Sequence, residues 1–281
     1  MAGAVGVSGR VVREADRVSL STVAGPMPVF SMRDAPGPLV MTAIHAGHDL
    51  RPEVADLVMV DEATRRREED PFTDRFAVAG TRVTVHRSRF EVDLNRPRNK
   101  AVYLAPDDAW GLEVWRRPLP SATLERSLAI YDGFYAVLAD RLDALADRGP
   151  FVVLDLHSYN HRRDGLPAPS AENPEVNIGT GSLDRERWHH VVDGFIDDMR
   201  AQHLDGRALD VRENVRFRGA QLARWIHERY PDTGCALVLE FKKVFMDEWT
   251  GEPDDDHIAQ LQRALSAVIP RLVDLIGKGP A

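Results

Sequence analysis

The chain has 281 residues, a net charge of -8, 43% hydrophobic and 28% charged residues, values ordinary for a water-soluble globular protein with a sizeable core. Acidic and basic residues are interspersed, and the run Arg65-Arg66-Arg67 is answered at once by Glu68-Glu69-Asp70, which reads as a solvated helix surface, so no basic face for nucleic acid is expected. No stretch has the length of a membrane span or the form of a secretory leader, which makes a cytoplasmic protein the expectation. The single cysteine, Cys235, excludes an intrachain disulfide and a cysteine-based zinc site, and its apolar setting suggests a buried, inert thiol.

Residues 1–38 mix glycine, proline and short alternating pieces such as Val18-Ser19-Leu20-Ser21, and read as a tail followed by a strand or hairpin. Residues 39–281 read as a single catalytic α/β domain, because strand-like runs alternate there with helical patterns. The first run, 39–44, ends at His45. Two more are expected at 82–86 and 90–94, the second leading into Asn95-Arg96-Pro97. A helix over 123–147 carries Leu124, Leu128, Tyr131, Tyr135, Leu138, Leu142 and Leu145 on one stripe, with Ser121 as its N-cap and Gly149 past its end. A strand over 151–156 delivers His157, and the Pro-, Asn- and Gly-rich stretch 160–181 reads as a long irregular loop framing a pocket. Further helical stripes run from Trp188 to Met199 and from Ile258 to Ile276, the latter bent at Pro270, and a strand over 236–241 contains Glu240.

Open α/β sheets place their chemistry at the carboxyl ends of strands, where His45, His157 and Glu240 fall. A zinc hydrolase needs three imidazole or carboxylate ligands and one open position. His45 and His157 supply two. On residue type and position alone, the third is His48 or a carboxylate of Glu68-Glu69-Asp70. Glu240, inside an apolar strand, must be paired, desolvated or facing a cavity, and beside a metal it suits a general base. The bland reading gives hydrogen-bonded strand-end histidines and a glutamate on a half-exposed strand face. Asp155, two residues before His157 and on the same strand face, is placed to orient a ligand. Arg96 could grip a substrate carboxylate. Nucleophile elbows, phosphate loops, dinucleotide fingerprints and H-E-x-x-H helices are missing from the sequence.

Six segments in order resemble the N-formylglutamate amidohydrolase family: Ile44-His45-Ala46-Gly47, Asp93-Leu94-Asn95-Arg96-Pro97, Asp155-Leu156-His157-Ser158, Asn177-Ile178-Gly179-Thr180, Asn214-Val215-Arg216-Phe217-Arg218-Gly219 and Leu239-Glu240. The likeness runs from about Leu39 to Glu248. It implies a three-layer α/β/α fold with a central mixed sheet, the phosphorylase/hydrolase-like architecture of the zinc carboxypeptidases. It further implies Zn2+, or another divalent metal in its place, held by His45, Asp70 and His157, with Glu240 as base and Asn95, Arg96, Asn177, Arg216 and Arg218 at a small anionic N-acyl amino acid such as N-formyl-L-glutamate. His48 stays the competitor of Asp70, because carboxypeptidases take their second ligand three residues after the first histidine; Glu69 is a further candidate. The charged stretch His48-Asp49-Leu50-Arg51 and the flanks of Asp70 depart from the family pattern, which leaves room for a carboxypeptidase-like or deacylase activity on another N-acyl amino acid or small peptide. The rival outside enzymes is an idle homologue that binds a carboxylate.

Overall fold

The computed structural model describes residues 28–162, 165–167 and 169–279, and the backbone of 11–14 and 17–20. Its strands are β1 (Val11–Glu14), β2 (Arg17–Leu20), β3 (Phe30–Arg33), β4 (Leu39–Ala43), β5 (Thr81–Val85), β6 (Phe151–Tyr159), β7 (Val176–Gly179), β8 (His203–Leu204), β9 (Arg207–Ala208), β10 (Val211–Glu213) and β11 (Gly234–Lys242). The helices are α1 (Pro52–Ala55), α2 (Glu62–Glu68), α3 (Ser121–Ala146), α4 (His189–Arg200), α5 (Gln221–Arg229) and α6 (Asp255–Gly277).

All strands except the small β8/β9 pair join one mixed sheet in the order β1-β2-β3-β5-β4-β6-β11-β7-β10. Its centre, β5-β4-β6-β11, is parallel, while β3 and β7 run antiparallel to their central neighbours. Central strands of this kind are covered on both faces and read as continuous apolar runs. In β6, Val152, Leu154 and Leu156 pack with α4 and α6, whereas Phe151 and Val153 pack with α3 and α5. The period of two thus builds a helix layer on each side, giving the three-layer α/β/α architecture. It also fixes which way the polar strand residues point: Asp155 and His157 share the parity of Val153, and Glu240 that of Val238, so all three face the α3/α5 side.

Several expectations need correction. Residues 90–94 are a turn rather than a strand, because the polar residues of the alternation are buried as fully as the apolar ones. Glu91 is tied to the Arg51 backbone and side chain, and Asp93 to Arg89, so side-chain pairing replaces a ladder. The stretch 160–181 is not irregular throughout, since β7 emerges from it and pairs with β11. Ser121 is the first residue of α3, not its cap; Pro120 precedes it with no side-chain bond to offer. The helical stripe expected over 258–276 forms as α6, with Pro270 inside it. Arg65 is not a solvated helix residue: it is buried and bonds His48. Burial pushes the Cys235 thiol up, in keeping with an inert group. No described helix is long and apolar enough to cross a membrane.

Candidate active site

The carboxyl ends of β4 and β6 bring His45 and His157 together, with ring centroids 4.9 Å apart at a steep angle. Asp70 comes from a loop, drawn in by its backbone N–H, which donates to the His45 carbonyl at 2.9 Å. One carboxylate oxygen, Asp70 Oδ2, then lies 3.0 Å from His157 Nδ1 and 3.4 Å from His45 Nδ1. These three side chains are the group able to hold a metal among the described residues, each offering an atom within 4.8 Å of the others. All three are buried.

Each imidazole is held from behind by a carboxylate. His157 Nε2 meets Asp155 Oδ2 at 2.9 Å, and Asp155 Oδ1 accepts from the Thr42 hydroxyl at 2.7 Å, across paired positions of β6 and β4. His45 Nε2 meets Asp93 Oδ1 at 2.7 Å. With Nε2–H donated to a carboxylate, each ring turns the lone pair of Nδ1 towards Asp70, the arrangement in which metal-bound histidines are oriented. His45 Nδ1 is buried and has no hydrogen-bond partner, an atom left orphaned unless a cation stands in front of it. Zinc bonds of about 2.1 Å in a tetrahedron put ligand atoms about 3.4 Å apart, close to the two separations seen. Residue types, orphaned nitrogen and spacing therefore fit zinc.

The electrostatics point the same way. Burial opposes a charged His157, but Asp155 and then Asp70 outweigh it and raise its proton affinity well above the ordinary range. Burial likewise works against ionised Asp70, yet the two imidazoles beside it, His157 and then His45, hold its carboxyl far below the usual range. A negative pocket floor favours any cation placed between the rings. Asp93 also stays ionised despite its burial, held first by Arg89 and then by His45; Arg89 donates to it at 2.9 Å, and Tyr103 completes the set.

Glu240 on β11 occupies the register position beside His157, and Asn177 on β7 the position beyond Glu240. Among the described residues the Glu240 carboxylate has no hydrogen-bond partner, and desolvation, partly offset by His157 and reinforced by Asp70 and Asp155, pushes it up to about 8.

The other predicted residues are placed as follows. His48 is turned away: its ring lies between Glu69, which it meets through Nδ1, and Arg65, 3.1 Å from Nε2. Glu69 is spent on His48 and the Ser88 hydroxyl, so neither alternative ligand reaches the centre. After Gly47, Arg51 is likewise engaged elsewhere, binding the buried Glu91 and Ser127. Gly47 is required there because a Cβ would sit 2.2 Å from the His86 carbonyl carbon. Asn95 spends its side-chain oxygen on the Leu222 N–H at 3.0 Å and holds its amide nitrogen 3.4 Å from His157 Nε2. Arg96 lies half-buried over the Tyr103 ring, bonded to the Asp108 carbonyl.

Asn177 is engaged with the backbone of the 214–219 turn. Its amide is fully buried, donating to the Phe217 carbonyl at 2.8 Å and accepting from the Arg216 N–H at 2.9 Å. It thereby pins the 214–219 turn beside Glu240. On that turn Arg216 is exposed over Tyr159 and Phe217 and bonds Asn173, while the Arg218 side chain is exposed without a partner among the described residues.

Sequence reasoning missed Asp93 as the partner of His45, although the residue lay in a quoted segment. It also missed Ser158, whose hydroxyl donates to Asp70 Oδ1 at 3.2 Å, and Arg89, for which the sequence carries no signal.

An N-formylglutamate amidohydrolase from Ralstonia eutropha JMP134 superposes with a TM-score of 0.70 at 21% identity, covering 89% of this chain and 98% of that one. The Agrobacterium tumefaciens gene product Atu2144 gives a TM-score of 0.57 at 16% identity, covering 89% and 94% of the two chains. At these identities the likeness is one of fold. No curated protein sequence matches. The family profile of the N-formylglutamate amidohydrolases, however, matches residues 37–246, the span that carries every strand and loop of the site, and the chain belongs to that family.

Proposed function

We propose that this chain is a zinc-dependent amidohydrolase that removes the formyl group from an N-formylated acidic amino acid such as N-formyl-L-glutamate. The observation that carries the reading is the pair of imidazoles, each fixed from behind by a carboxylate and each turning Nδ1 to Asp70 Oδ2, with Glu240 on the neighbouring strand. Zinc held by His45, Asp70 and His157 would supply Lewis acidity at the amide carbonyl and a water nucleophilic at neutral pH.

The chain's own residues do the rest. Glu240, poised near neutrality by its burial, takes a proton from the water as the oxygen–carbon bond to the formyl carbon forms. It returns that proton to the amide nitrogen as the C–N bond breaks, giving formate and the free amino acid. Arg96, Arg216 and Arg218 supply guanidinium groups for the two carboxylates of the amino acid, and Asn177 supports this by holding the turn that presents two of them.

The test is formate release by zinc-loaded protein from N-formyl-L-glutamate, N-formyl-L-leucine and, with acetate measured, N-acetyl-L-glutamate. The reading predicts that the formylated acidic substrate has the highest kcat/KM. Equal turnover of the leucine compound contradicts the arginine anchors, and faster acetate release contradicts the formyl assignment.

A further inference from the structure

Lys243 is a buried cation that the reaction above does not use. It is 2% exposed, three residues beyond Glu240 where the chain leaves β11. Burial draws its proton affinity down. All three ammonium protons are nevertheless placed: on the Arg67 carbonyl, the Glu69 carbonyl at 2.8 Å and the Asn160 side-chain oxygen at 3.0 Å. Asn160 closes the arrangement by donating its amide to the same Arg67 carbonyl at 3.0 Å. The Lys243 backbone N–H is bound to the Tyr159 carbonyl at 3.1 Å.

These bonds join three pieces of chain that each carry a part of the site. Lys243 follows Glu240 on β11, Tyr159 and Asn160 follow His157 on β6, and the two carbonyls belong to the turn that ends in Asp70. On the far side of Asp70 the Thr73 hydroxyl donates to the Asp70 carbonyl at 2.7 Å, and Phe76 is buried against Phe241 and Phe245. Before Asp70, the Lys243 ammonium and the Asn160 amide together tie the turn to the strand ends. A buried lysine with two protons spent on one loop and the third on Asn160 costs desolvation that packing alone does not require.

We propose that Lys243 is a positioning residue of the metal centre, its ammonium fixing the 67–70 turn so that Asp70 Oδ2 faces both imidazoles. The proposal rests on the functional reading above, in that the three side chains are taken to hold a metal. Removing the ammonium frees the Glu69 carbonyl and leaves the Arg67 carbonyl to Asn160 alone, so the ligand of this set that stands on a loop loses part of its support. Loss of such supporting contacts commonly weakens metal affinity about 10–100-fold.

The experiment measures zinc and cobalt(II) affinity of the full chain by chelator competition, together with the visible band of bound cobalt and the urea midpoint of each metal-free protein. Wild type, Lys243→Met and Asn160→Ala are compared. The expected result is a Lys243→Met protein that folds, binds both metals about 10–100-fold more weakly and shows an altered cobalt band, with a smaller change in the same direction for Asn160→Ala. A folded Lys243→Met with wild-type affinity and band overturns the proposal and leaves the metal site standing. If that variant does not fold, wild-type affinity in Asn160→Ala overturns it, because Asn160 holds both the ammonium and the Arg67 carbonyl. A lower urea midpoint with unchanged affinity marks Lys243 as merely structural and also overturns it. Wild type that takes up neither metal sinks the functional reading and the proposal together, which separates that failure from the others.

Discussion

Glu240 and His157 occupy paired positions on adjacent parallel strands, so a carboxylate and an imidazole project side by side from the same face of the sheet. The neighbourly placement follows from register alone, since strands in a sheet lie about 4.8 Å apart. It separates the roles cleanly: His157 is enclosed by Asp155, Asp70 and Asn95, whereas the Glu240 carboxylate is left free to exchange a proton.

Glu240→Gln keeps the shape and removes the proposed base. The expected outcome is a loss of about a hundredfold to ten-thousandfold in kcat for formate release, with metal affinity close to wild type. Metal content by elemental analysis and steady-state rates check it together. A variant that loses both metal and rate would make Glu240 a ligand instead.

Asp93→Asn tests the support behind His45. The variant weakens the hold on the His45 ring and leaves the Arg89 charge buried without its partner. Metal affinity is expected to fall about 10–100-fold, and the metal-free protein to lose about 3–5 kcal/mol of stability. Chelator competition and urea unfolding read the two effects separately.

Those two residues show what the sequence made legible. His45, His157 and Glu240 could be read because each interrupts or ends an apolar strand, and the helical stripe of α3 could be read because its spacing holds over many turns. Asp70 could not be read from local pattern, since what brings it to the centre is a backbone bond from a loop to His45. His48 had an equally suitable side chain and spacing; only the partners Glu69 and Arg65 decide that its ring points elsewhere. Asp93 hid in an apolar–polar alternation that imitates a strand, because in 90–94 burial and pairing of the acids replaced the ladder. Strand β7 hid behind a composition rich in proline and asparagine.

A pH dependence of folding follows from His227, remote from the metal site in its bonding. Its Nε2 accepts the Ala236 N–H at 3.0 Å and its Nδ1 meets the Ser182 hydroxyl at 2.8 Å, so the neutral ring is the bonded form. Burial lowers it from 6.5 to about 4. Below pH 6.5 the unfolded chain takes up a proton that the folded chain refuses until about pH 4, so stability is full at neutral pH and falls across that window. The loss from this group is at most about 3 kcal/mol. Urea unfolding between pH 7 and pH 4 checks it: His227→Gln, which can still accept from Ala236, should show the flatter profile. Parallel profiles would remove His227 from the account.

The most direct test of the central claim is anomalous scattering at the zinc edge from crystals of the protein grown with zinc. The account predicts one strong peak within bonding distance of His45 Nδ1, His157 Nδ1 and Asp70 Oδ2, with His48 and Glu69 still engaged with each other. A peak held by His48 or Glu69, or no peak between the two imidazoles at full zinc loading, would contradict it.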